Sequence, residues 1–219
     1  MKIIQVGASI TASNDRDADM IRADLKEKKT LLVNLMSSPG SGKTTFLSRL
    51  IKDMPDLKIG VMEADIESAV DAERIAALGA KAIQVHTSGM CHMDAGMTGA
   101  ALSALGDGEH FDLIFLENVG NLICPAEYDT GAGLNIMILS VPEGDDKPLK
   151  YPLMFLKSDA LIISKTDALP YFTFDVDTCK KYADDLNPGM PVFPLSAKKG
   201  DGMSAFEEWL RGKLAAWTL

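Results

Sequence analysis

The chain has 219 residues, of which 47% are hydrophobic, enough for one sizeable core and too few for two large ones. With 31 acidic against 22 basic side chains, the formal charge of -9 excludes broad affinity for nucleic acid, so an anionic partner needs a local site. The 3 cysteines lie far apart in sequence and cannot form a disulfide framework; together with the lack of any long apolar run, they point to a protein of the reducing cytoplasm that is neither exported nor held in a membrane.

In chain order, the charged stretch "NDRDADMIRADLKEKK" reads as a surface helix entered at Asn14, part of an extension over residues 1–29 that begins with a short strand and packs on the remainder. Seven short, continuously apolar segments follow and read as buried strands: "TLLVNLM", "LKIGVME", "KAIQVHT", "FDLIFLE", "LNIMILSV", "DALIIS" and "MPVFPLS". Between them "SGKTTFLSRLIKDM", "ESAVDAERIAALG" and "HMDAGMTGAALSALG" have helical periodicity, and "PEGDDKPLKYP" reads as an internal functional loop. The alternation predicts one α/β domain over residues 1–219, a mostly parallel sheet with helices on both faces and right-handed crossovers.

The strongest local motif is "LLVNLMSSPGSGKTTFL", a strand running through a Ser/Pro/Gly turn into a helix. Gly40, Ser41 and Gly42 let backbone N–H groups close on phosphate oxygens, Lys43 reaches the outer phosphates, and Thr44, or less aptly Thr45, offers a hydroxyl to Mg²⁺. Ser37 stands where such loops usually begin with glycine. Toward the other end, "LIISKTD" resembles the element with which GTPases grip guanine: Asp167 accepts from the base and the stem of Lys165 lies along it, with Ser164 in place of the usual Asn. "PLSAKKG" places Ser196, Ala197 and Lys198 after the last strand, like the loop that meets the guanine carbonyl. Asp65 and Glu117 fall at strand ends where Mg²⁺ and a hydrolytic water would sit. Asp71 serves there or caps a helix.

Cys91 and His92 adjoin at the start of a helix, and Cys124 stands in a loop at the same edge of the sheet. Two thiolates and an imidazole suit Ni²⁺ or Zn²⁺ and leave positions that a second subunit can fill. The competing reading makes each of them a buried packing residue, which is the reading given to Cys179. His86 is a further possible ligand, while Met90, Met93 and Met97 read as core at helical spacing.

Taken together, "SSPGSGKTT", "EADIESAVDAERI", "CHMDA", "ENVGNLICPAEYD", "SVPEGDDKPLKYP" and "SKTD" resemble the nickel-incorporation GTPases of hydrogenase and urease maturation, from about residue 5 to the end. The resemblance implies a P-loop GTPase that binds GTP or GDP with Mg²⁺, dimerises when GTP is bound and helps deliver Ni²⁺ to the apo hydrogenase large subunit with other maturation proteins. It also implies that Cys91, His92 and Cys124 are metal ligands at the dimer interface, that Gly42, Lys43 and Thr44 belong to the phosphate loop and that Asp167 reads the base. Ala64 replaces a usual glycine, and the N-terminal cysteine motif or histidine tract of some members is absent from these residues. The alternatives are a urease-type accessory GTPase, a P-loop small-molecule kinase, for which no arginine-bearing lid is visible, and a zinc-stabilised interaction module, which needs a closed set of four ligands.

Overall fold

A computed structural model describes residues 7–65, 75–106 and 108–219, with side chains from residue 12 onward except that of residue 65. The expected short strand at the N-terminus, Asp71 and most of the helix expected over "ESAVDAERIAALG" lie outside these residues.

All seven apolar segments are strands: β1 (Leu31–Ser37), β2 (Ile59–Asp65), β3 (Lys81–His86), β4 (Leu113–Glu117), β5 (Leu134–Ser140), β6 (Ala160–Ser164) and β7 (Val192–Pro194). They form one parallel sheet in the order β3-β2-β4-β1-β5-β6-β7. Every residue of β1, β4 and β6 is buried, which explains why these segments carry apolar residues without alternation: both faces are covered. One face lies under α2 (Lys43–Asp53) and α8 (Met203–Thr218), where Phe46, Leu47, Leu50, Phe206 and Leu210 are fully buried. Edge-on ring contacts of Phe206 with Phe46 and Phe193, at 5.1 and 5.4 Å between centroids, lock that layer. On the other face lie α1 (Gly7–Glu27), α3 (Ala95–Gly106) and, beyond α4 (Cys124–Glu127), the short α5 (Lys147–Lys150) and α6 (Pro152–Leu156) with α7 (Val176–Leu186).

The chain leaves β1 toward β2 on one side and, after β4, toward β5 on the other, so the order reverses at β1. In open parallel sheets the crevice for ligands lies outside the carboxyl ends at such a reversal. The loops after β1, β4 and β5 therefore converge there.

Two expectations are corrected. The first helix starts at Gly7, not Asn14. Asn14 sits inside it because its amide serves other segments: Oδ1 accepts from Ala95 N at 2.9 Å, at the start of α3, and Nδ2 donates to Asp129 O at 2.9 Å. The stretch "PEGDDKPLKYP" is not a loop but a 3-10 turn (Val141–Glu143) followed by α5 and the start of α6. Ser140 and Glu143 form a capping box that starts the turn, and prolines occupy the second position of α5 and the first of α6, within the first turn where a missing N–H costs nothing.

Candidate nucleotide and metal site

The phosphate loop turns between β1 and α2 through Gly40 (φ 72°) and Gly42 (φ 100°), left-handed conformations that a side chain would strain. Ser37, at the position where glycine was expected, is fully buried; its hydroxyl accepts from Ser41 Oγ at 2.7 Å and from Lys43 Nζ at 2.9 Å. The serine thus holds the lysine ammonium at the loop. Lys43 and Thr44 open α2, so their backbone N–H groups sit at the positive end of an 11-residue helix.

A cavity of about 480 Å³ lies over this loop, lined among others by Gly42, Lys43, Thr44, Glu63, Glu117 and Lys165. Thr44 Oγ1 donates to Glu117 Oε1 at 3.2 Å, which brings together a hydroxyl and a carboxylate, the hard oxygen donors that Mg²⁺ prefers. Glu63, which sequence reasoning passed over, stands opposite Glu117 on the neighbouring strand, and both are buried. Its signal was a carboxylate in the middle of the apolar run "VMEAD". Asp65 ends β2 opposite His86 of β3.

Adjoining this cavity, a smaller one of about 290 Å³ is lined by Thr45, Phe46, Ser164, Lys165, Asp167, Ala168, Ala197 and Lys198 together with the loop residues Ser41 and Gly42. Ser164, in the position of the usual asparagine, donates through Oγ to Ser41 O at 2.7 Å and so ties this strand end to the phosphate loop. Lys165 Nζ donates to Gly40 O at 2.6 Å. Ser196 Oγ donates to Asp167 Oδ1 at 2.7 Å and accepts from Lys199 N at 3.2 Å. That hydrogen bond, with the nearby Lys199 and Lys198 charges, holds the Asp167 carboxyl below its ordinary value, so it presents ionised acceptor oxygens.

Cys91, His92 and Cys124 gather as the sequence suggested, with ligand atoms all within 4.8 Å of one another. Cys91 Sγ lies 2.8 Å from Cys124 Sγ and 3.8 Å from His92 Nδ1, and both thiols are free. The ring of His92 stacks on Tyr128 at 3.8 Å, an unforeseen contact that fixes the imidazole plane. Burial holds His92 below the ordinary imidazole value against the pull of Asp94 and Glu127, leaving it neutral for ligation. The contact with the Cys91 thiol, then burial, raises the Cys124 thiol, while Asn121 Nδ2, 3.5 Å from Cys124 Sγ, opposes that.

His86 stays outside the cluster: it is exposed at the end of an edge strand. Met93 is fully buried and Met97 packs against the same core, but Met90 is 42% exposed, because it precedes the helix rather than belonging to it. Cys179 is buried among apolar side chains, which push its thiol up to about 12, and it is a packing residue.

The two sites share one segment. Residues 117–124 run from Glu117 to Cys124, and on the way Gly120 presses against Pro39 of the phosphate loop so closely that an added Cβ would stand 2.8 Å from its nitrogen. Asn121 N donates to Ser37 O at 2.8 Å, and Asn121 Oδ1 accepts from Ile123 N and Cys124 N at 2.8 and 3.3 Å.

A seven-stranded parallel sheet with a glycine-rich loop at its point of reversal defines a P-loop nucleotide-binding protein, and a cluster of side chains able to hold a metal ion lies beside that loop. Residues 31–194 match the CobW/HypB/UreG family, nucleotide-binding domain. The hydrogenase maturation factor HypB of Azotobacter chroococcum mcd 1 is 43% identical over 216 residues, 98% of this chain and 70% of that protein. The hydrogenase/urease maturation factor HypB of Helicobacter hepaticus is 42% identical over 217 residues, 98% of this chain and 89% of that one. Among solved structures, HypB from Helicobacter pylori in complex with nickel superposes with a TM-score of 0.89 at 42% identity, covering 93% of this chain and 96% of that one. The chain belongs to the CobW/HypB/UreG family, on its HypB branch.

Proposed function

We propose that this chain is a GTPase that carries Ni²⁺ to an apo hydrogenase large subunit alongside other maturation proteins, acting in the cytoplasm as a homodimer formed when GTP is bound. The observation that carries the reading is the contiguity of the two sites: one segment, residues 117–124, borders the phosphate cavity at Glu117 and ends on Cys124 beside Cys91 and His92. The nickel complex of the H. pylori relative supports nickel as the cargo, and two thiolates with one imidazole also accept Zn²⁺. Three ligands leave a divalent ion undersaturated, which is the chemical argument for a second protomer at this face. The proposed unit is one GTPase domain with residues 1–29 as an extension; α1 of that extension packs against α3.

In this reading Lys43 and the N–H groups at the head of α2 bind the phosphates and offset charge that develops as water attacks the γ phosphate in line. Thr44, Asp65 and Glu117 hold Mg²⁺, which adds electrostatic stabilisation of the phosphate oxygens when bound. Glu117 and its register partner Glu63 also border the space where the attacking water is oriented. Asp167 accepts from the guanine N1–H and amino group, Lys165 packs along the ring, and Ser196, Ala197 and Lys198 close the far side. No helix among the described residues is long and apolar enough to cross a membrane.

The test is to compare kcat/KM for GTP and ATP and to count nickel bound per chain in the same preparation. Preference for GTP together with nickel binding supports the reading. Equal use of both nucleotides removes the guanine assignment, and absence of nickel binding removes the cargo.

A further inference from the structure

The metal cluster is assembled from two segments, and hydrogen bonds tie each to the ends of the paired strands β1 and β4. Cys124 follows β1, because Asn121 N, three residues before it, donates to Ser37 O at the end of that strand. The Cys91–His92 pair follows β4. There Asn118, the residue after Glu117, is fully buried, and its Oδ1 accepts from Met93 N at 3.1 Å and from Val119 N at 2.9 Å. Met93 is the residue after His92, and its own side chain is fully buried in the core.

Asn118 is held firmly from the opposite side. Its N–H donates to Leu35 O at 3.0 Å and its Nδ2 donates to Asn34 Oδ1 at 3.0 Å; Asn34 Nδ2 in turn donates to Asn135 Oδ1 at 2.9 Å. Apolar residues at these positions would build the same strands without the desolvation cost of three amides. What the amides add is a fixed distance between the end of β4 and the Cys91–His92 turn. Glu117 and Asn118 both line the phosphate cavity, and Thr44 of the loop after β1 bonds Glu117 across it. A nucleotide that engages Thr44 and Glu117 therefore acts on the residue directly before Asn118, whose Oδ1 bond to Met93 N adjoins the Cys91–His92 pair.

We infer that Asn118 is a positioning residue that conveys nucleotide state at Glu117 to the Cys91–His92 half of the metal site. This rests on the GTP and nickel reading above. Its side chain is fully buried and supplies none of the cluster's ligand atoms, and its effect passes through the Oδ1 bond to Met93 N.

The measurement is the nickel dissociation constant of the full chain with GDP and with a nonhydrolysable GTP analogue, read from thiolate-to-nickel absorption, for wild type, Asn118→Ala and Asn34→Ala. Wild type should show a ratio of at least about 5 between the two states, the low end of ordinary site coupling. Asn118→Ala should bring that ratio to about 1 while still binding nickel. Asn34→Ala perturbs the same buried relay but leaves the bond to Met93, so it should lower the melting temperature and keep the ratio. Should Asn118→Ala not fold, Asn118→Ser makes the same test, since its hydroxyl is too short to reach Met93 N. A wild-type ratio preserved in the Asn118 variant overturns the inference. So does a wild-type ratio of 1, and GTP turnover and nickel content in the same samples then show whether the functional reading itself still stands.

Discussion

Ser37 Oγ receives Lys43 Nζ at 2.9 Å, so the residue that breaks the usual glycine pattern of the phosphate loop is the one that holds its lysine in place. In the proposed mechanism the ammonium then moves to the phosphates with little change in position. Lys43→Ala should reduce GTP turnover by about 100-fold or more, the usual cost of losing a donor to developing charge. Steady-state kinetics with circular dichroism checks this; a folded variant retaining its rate removes Lys43 from the chemistry.

In the proposed mechanism base choice depends on Asp167, whose carboxylate is kept ionised by Ser196. Asp167→Asn replaces an acceptor with a donor facing guanine's own donors. It should lower kcat/KM for GTP by at least about 100-fold, because an unpaired buried polar group is a strong penalty, and it should improve use of xanthosine triphosphate. Competition between the two nucleotides reads this out.

Metal binding should depend on pH in a defined direction. Cys124 is raised, so its thiol is protonated at neutral pH in the metal-free chain, and ligation must expel a proton. His92 is lowered and is already neutral there, so the histidine adds no proton until the pH falls below its depressed value. Nickel affinity should rise as pH increases through neutrality toward the thiol range. Calorimetry in two buffers of different ionisation enthalpy should show proton release, and pH-independent affinity would contradict thiolate ligation.

Away from the site, burial and then Asp53 raise the carboxyl of Glu207. A group whose folded value is raised favours the folded state when protonated, and that contribution is lost as pH rises from its unfolded value of 4.5 through the folded one. Glu207→Gln stays neutral and should therefore raise the melting temperature at pH 7 to 8, with the gain vanishing below about pH 4, where both side chains are neutral. Thermal melts at the two pH values decide it.

The central strands were legible because both faces of the sheet are covered there, so β1, β4 and β6 are short, mostly apolar runs with no alternation to decipher. The phosphate loop, the guanine-like elements and the Cys–His–Cys set were legible because glycine, lysine and thiol chemistry leave distinct residue types at recognisable spacing. The start of α1 was misread since Asn14 resembles a local cap but bonds to residues 95 and 129, partners that sequence proximity does not reveal. The asparagines at 34, 118 and 135 were missed for a related reason: Asn34 and Asn135 are single polar residues in apolar runs, Asn118 follows Glu117 just past a strand, and only strand order shows that they meet. Tyr128 was silent because a stacking partner has no spacing rule relative to His92.

The most direct test titrates Ni²⁺ into wild type and Cys91→Ala with GDP or a nonhydrolysable GTP analogue bound, following molecular mass by light scattering. The account predicts that wild type with the analogue binds nickel and doubles in mass, that nickel and dimer strengthen each other, and that Cys91→Ala loses the nickel dependence. Equal nickel affinity and equal mass in the wild type and Cys91→Ala, whichever nucleotide is bound, would contradict it.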